Sequence, residues 1–120
     1  VNVILGTSRA LDDGSLATLA SVAVEAKTAT MLAETGFPGT TTDAVVVASD
    51  PDGEAATFAG SATPVGAAAR ASVRDALQGS LRSRYAAADR PESVEAAEHG
   101  VRTDRRAETF DPCGRHRRRE

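Results

Sequence analysis

No tryptophan occurs in the 120-residue chain, and one tyrosine and three phenylalanines are its only aromatics. Alanine, valine, threonine and glycine fill the core-like stretches instead. Such a core buries little area per residue, in a size range where domains are already marginal. The lone cysteine, Cys113, excludes an internal disulfide and fits a reducing cytosol. Cys113, His99 and His116 all lie beyond residue 88. Residues 1–88 alone therefore cannot assemble a Ser-His-Asp triad, a Cys-His pair or a histidine-ligated zinc site. A Walker loop and a GxGxxG fingerprint are absent. No basic stretch precedes an apolar one in the manner of a secretory signal. Glu25, Lys27 and several threonines interrupt the longest apolar run, short of the roughly 20 residues that span a bilayer. With a net charge of -3, composition points to a soluble cytoplasmic protein of one domain, with neither nucleic acid nor membrane as partner.

Lysine is equally scarce. Lys27 is the only one, and every other basic residue is arginine apart from the two histidines. It sits with Glu25 inside LATLASVAVEAKTATML (16–32), a helical run apolar or small almost all round. At about 100° per residue, Thr18, Ser21, Glu25 and Thr28 share one stripe, a row of hydroxyls with a carboxylate. Lys27 points the opposite way, among Leu16, Ala20, Ala23 and Met31. The two charges cannot form an i,i+4 pair, so each needs a partner in another element, a ligand or solvent. Two readings stay open. Glu25 faces water while Lys27 snorkels past Met31, or the helix walls a site that uses both charges. In the second case a carboxylate base, or a hydroxyl activated by lysine, supports hydrolysis. A lysine in an apolar wall would lose its proton more readily, which arginine does not do.

Taken in order, VNVILG (1–6) reads as a strand and residues 7–14 as a polar connection. Asp12 or Asp13 caps a helix over 13–35, which Gly36 and Pro38 end. AVVVA (44–48) reads as a strand buried on both faces. DPDG (50–53) signals a turn, and residues 55–59 return as a hairpin partner. Thr63 as N-cap and Pro64 at the first position open a second helix that runs to about Tyr85. Its Val65, Ala69, Val73, Ala76 and Leu77 share one face, with Arg70, Arg74, Gln78 and Arg82 on another. The fold class is α/β or α+β: a partial β-α-β-β-α sandwich with one sheet edge open. The strand that starts at Val1, with no methionine ahead of it, suggests that an upstream part is missing. That open edge leaves a homo-oligomer available.

From Asp89 the character changes. Residues 89–120 hold eight acidic residues and eight arginines with few aliphatics. This reads as a charged, disordered tail, separate from a folded region over 1–88. RHRRR (115–119) is a cluster of a kind that binds phosphates, or a solvated terminus.

The segments VAVEAKTATML (22–32), GTTTDAVVVAS (39–49) and FAGSATPVGAAARASVRDAL (58–77) resemble, in order and spacing, the adenosylcobinamide amidohydrolase family. Asn2 in VNVIL adds to the likeness, which covers roughly residues 1–87. The resemblance implies archaeal-type cobinamide salvage: hydrolysis of the amide joining aminopropanol to the corrin ring, giving adenosylcobyric acid. The corrinoid is then a small-molecule substrate, no resident cofactor is expected, and no residue is singled out as a metal ligand. Residues 25–29 fall on the family's EAKTA, residues 40–43 on its TGTD and residues 59–63 on its AGTHT. Glu25 and Lys27 become catalytic candidates, and Thr28, Thr42, Asp43, Ser61 and Thr63 substrate-binding ones. Ala62 departs from the family where a polar residue is usual. The family domain is also about twice this length. Asp43 could instead brace its loop, and Thr63 could serve only as N-cap. Two further functions stay open: a corrinoid-binding or orphaned fragment without catalysis, and a small α/β interaction module whose arginine-rich tail makes the contact.

Overall fold

The computed structural model describes residues 1–90, 92 and 105–108. Four elements follow in the order β-α-β-α: β1 (Asn2–Ala10), α1 (Asp13–Thr35), β2 (Ala44–Ala55) and α2 (Pro64–Arg84). The α/β class holds, with both helices on one face of a two-stranded parallel sheet.

α1 begins and ends where local chemistry dictates. The Asp12 carboxylate accepts from the Ser15 N–H at 2.7 Å and satisfies one of the free amides of the first turn. Gly36 takes φ 78 and returns its own N–H to Leu32 O, a left-handed cap open to glycine. α1 has no basic residue in its last turn. Arg90 supplies one from beyond α2, donating to Glu34 O at 2.5 Å. At the opening of α2, the Thr63 hydroxyl accepts from the Gly66 N–H at 3.0 Å with Pro64 just behind it.

The strands differ from the sequence expectation. β1 continues through residues 7–10, which the sequence reads as a connection. β2 continues through DPDG to Ala55, and residues 55–59 form no returning strand, so the second half of the hairpin is absent. Thr7 pairs with Ser49, and Arg9 then pairs with Glu54. Residues 50–53 bulge out of the ladder opposite Ser8, and the pairing resumes beyond them. The Arg9–Glu54 ion pair, at 2.9 Å, spans the strands just past this bulge.

Leu5 of β1 meets Leu19, Val22, Ala23, Ala26 and Met31 of α1 in the core, with Ala69, Val73, Leu77 and Leu81 of α2. Leu19 has no exposed surface. Ala76, assigned to the buried face of α2, is exposed. Gln78, assigned to the solvated face, is half-buried and donates to Glu34 Oε1 at 2.8 Å. Arg70, Arg74 and Arg82 are solvated as expected. The strand over 44–48 is covered on one side only. Val45 and Val47 face the helices, while Ala44, Val46 and Ala48 are exposed. The described chain offers a single helical layer, so the second face has nothing to pack on. By length and composition α1 could cross a membrane, the one such helix among the described residues. It instead spends its apolar face on the core.

Candidate functional site

Lys27 is buried on α1, 6% exposed, so it does not snorkel to the surface. Its Nζ donates to Asp43 Oδ2, the residue just before β2. Asp43 Oδ1 accepts from the Thr40 N–H at 3.0 Å, from Thr40 Oγ1 at 2.7 Å and from the Val1 nitrogen at 3.0 Å. Burial alone would raise the Asp43 pKa. The bonds from Lys27, Thr40 and the Val1 nitrogen outweigh it and hold the carboxyl well below the usual carboxylate range. One carboxylate thus ties the middle of α1, the loop before β2 and the start of β1 together. Asp43 braces its loop, one of the two readings its sequence allowed.

Gly39 lets the chain pass this close. A Cβ there would overlap Asp43 Oδ2 and crowd Lys27 Nζ at 2.9 Å. Neither Gly39 nor Thr40 was among the residues singled out from sequence. The signal for Thr40 was the Thr-x-x-Asp spacing, which lets a carboxylate accept from the amide three residues back. Thr42, which was singled out, is exposed beside the brace.

The remaining candidates are not gathered at the brace. Glu25 projects to solvent and, among the described residues, has no ion-pair or hydrogen-bond partner. Thr28 is half-buried on the same stripe, where Ser21 and Thr18 are exposed. The helix therefore divides its EAKTA segment, with Ala26 and Lys27 inward and Glu25 outward. Ser61 lines a cleft of about 430 Å³ between the helices, with Thr30, Glu34, Arg70, Arg74 and Gln78. Thr63 donates to Gly60 O at 2.8 Å while it caps α2, so its proton is committed to the turn. Among the described residues no group of three or more His, Cys, Asp or Glu could hold a metal ion.

A profile of the adenosylcobinamide amidohydrolase family matches residues 1–89. A curated protein of Halobacterium salinarum, named adenosylcobinamide amidohydrolase, is 61% identical over 112 residues. The match takes in 93% of this chain and 48% of that protein, so the chain spans about half the length of this relative. At that coverage the likeness reaches past residue 89 into the charged segment, which is not peculiar to this chain. No solved structure matches. The three matching segments of sequence, the family profile and this relative agree, and the chain belongs to the adenosylcobinamide amidohydrolase family.

Proposed function

We propose that the chain contributes to hydrolysis of the amide that joins aminopropanol to the corrin ring of adenosylcobinamide. The products are adenosylcobyric acid and free aminopropanol, in the cytoplasm. The observation that carries this reading is the 61% identity to a protein named for that reaction. The geometry supports a division of labour within the EAKTA segment. Lys27 is spoken for by Asp43, whereas the Glu25 carboxylate is exposed and unpaired among the described residues. Glu25 acts as general base: it takes a proton from water as the oxygen attacks the amide carbon. The C–N bond then breaks, and Glu25 returns the proton to the departing aminopropanol nitrogen. Thr28, on the same stripe, is the substrate-holding residue in this proposal. Lys27 is a positioning residue that fixes the pitch and depth of α1 through its ion pair.

The test uses a chimaera that joins this chain to the part of the Halobacterium relative it does not span, assayed for adenosylcobinamide turnover. Glu25→Gln should lower kcat roughly 100-fold, the usual effect of losing a general base, with the melting temperature unchanged. Lys27→Arg should lower turnover and melting temperature together, because guanidinium does not fit the compact site of an ammonium. Unchanged turnover in Glu25→Gln would remove the carboxylate from the reaction. Corrinoid binding without turnover in the unsubstituted chimaera would make the protein a carrier.

A further inference from the structure

The free side of β1 is where the sheet is least finished. Among the described residues no strand pairs with its outer edge. β1 has nine residues and no proline, and its only charge, Arg9, lies near the far end. It therefore lacks most devices that keep an exposed edge from pairing. Two clefts lie end to end between this edge and α2. One, of about 340 Å³, is lined by Leu5, Thr7 and Arg9 of β1 and by Val65, Ala68 and Ser72 of α2. The next, of about 330 Å³, continues along Val1 and Val3 against Val73, Ala76 and Leu81. Together they form a seam along the whole of β1. Backbone hydrogen-bonding groups lie on one wall and small or apolar side chains on the other, and Phe58, 73% exposed, stands at one end. That combination suits an added strand: the ladder supplies affinity, and every second side chain enters the seam. A two-stranded parallel sheet also needs further strands and a second covered face to be stable.

We propose that the seam between β1 and α2 receives a β-strand from the half of the adenosylcobinamide amidohydrolase chain that this sequence does not span. The relative extends over roughly as much sequence again beyond the matched part, enough for further strands and a covering layer. On the other flank of the sheet α1 packs along β2. The inference rests on family membership and not on the hydrolysis proposed above. It is read by binding, so either can fail alone.

The experiment mixes the 120-residue chain with a polypeptide covering the unmatched part of the Halobacterium relative. Association is followed by calorimetry and backbone hydrogen exchange. A one-to-one complex is expected, in which amides of residues 2–10 exchange at least tenfold more slowly. Ser72→Arg and Ala76→Arg are substitutions at exposed helical positions that line the seam. Each should weaken association at least tenfold while leaving the circular dichroism of the chain unchanged. The proposal is overturned by an absence of association, or by association indifferent to both substitutions. Protection that falls outside β1 also overturns it, as does protection of β1 in a homodimer without the added polypeptide.

Discussion

The two faces of the sheet are built from the same valine- and alanine-rich strands and have opposite fates. Val3, Leu5, Val45 and Val47 lie under two helices, whereas on the reverse Ile4 is 85% and Val46 55% exposed. Strand sequences alone do not distinguish the faces, because both carry β-branched side chains. What differs is the layer above. α1 and α2 each present a stripe of small and aliphatic residues to one side, and the reverse has no such layer among the described residues. The lesson is that covering a face depends on elements elsewhere in the chain, and the cost of a substitution should follow that cover and not residue type.

The largest effect should come from the Lys27–Asp43 ion pair on the covered side. Asp43→Ala leaves Lys27 buried without a counter-charge, strips the Thr40 N–H and hydroxyl of their acceptor and leaves the Val1 nitrogen only Thr40 Oγ1. Breaking a buried pair from one side costs roughly 3–5 kcal/mol. Chemical denaturation should therefore show the chain largely unfolded without ligand. A loss under about 1 kcal/mol would show that water reaches the pair and screens it. Leu19→Ala tests the same side without charge. It empties a site with no exposed surface at the centre of the core, and should cost about 3 kcal/mol by transfer and cavity formation.

These expectations also mark what could be read before the fold was known. The ends of both helices were legible because their caps are local: Asp12 with Ser15, Gly36 with Leu32, and Thr63 with Gly66. That Lys27 needed either a partner or a path to water was legible too, since an unpaired ion in an apolar helix is costly. That the partner is Asp43 was not, because a loop and its close turn at Gly39 bring the two together. DPDG misled for a related reason. Its turn chemistry is the same in a hairpin as in a bulge, and only the resumed pairing of Arg9 with Glu54 separates the two. Residues 115–119 and Cys113 lie outside the described residues.

Acid should weaken the covered side selectively. The folded pKa of Asp43 lies below its unfolded value. Its contribution is therefore complete above the ordinary carboxylate range, near about pH 4, and is lost as pH falls from there through the folded pKa. Stability measured from pH 6 downward should hold until about pH 4 and then decline. Asp43→Asn also removes the counter-charge of Lys27, so it should already be weakened at pH 6. Whatever stability remains should show a flatter acid limb than the parent. An equally steep limb in both proteins would assign the acid sensitivity to other carboxylates.

The smallest effect should fall on the bare face, and there the comparison is sharpest. Ile4→Ser removes a large apolar side chain from a strand, a change that costs several kcal/mol at a buried site. Ile4, however, is 85% exposed and has little packing to lose. The β-propensity of isoleucine is its main remaining contribution, so stability should shift by about 0.5 kcal/mol or less. Binding of a hydrophobic dye to the chain should fall at the same time, because Ile4 and Val46 are the large apolar side chains exposed on this face. Adding the polypeptide from the unmatched half of the Halobacterium relative should reverse that neutrality if a covering layer comes with the strand. Ile4→Ser would then weaken the complex while leaving the lone chain unchanged. A loss of 2 kcal/mol or more in the lone chain would mean that the face is already covered in solution, with a second copy as the cover, and a concentration-dependent melting temperature would reveal it.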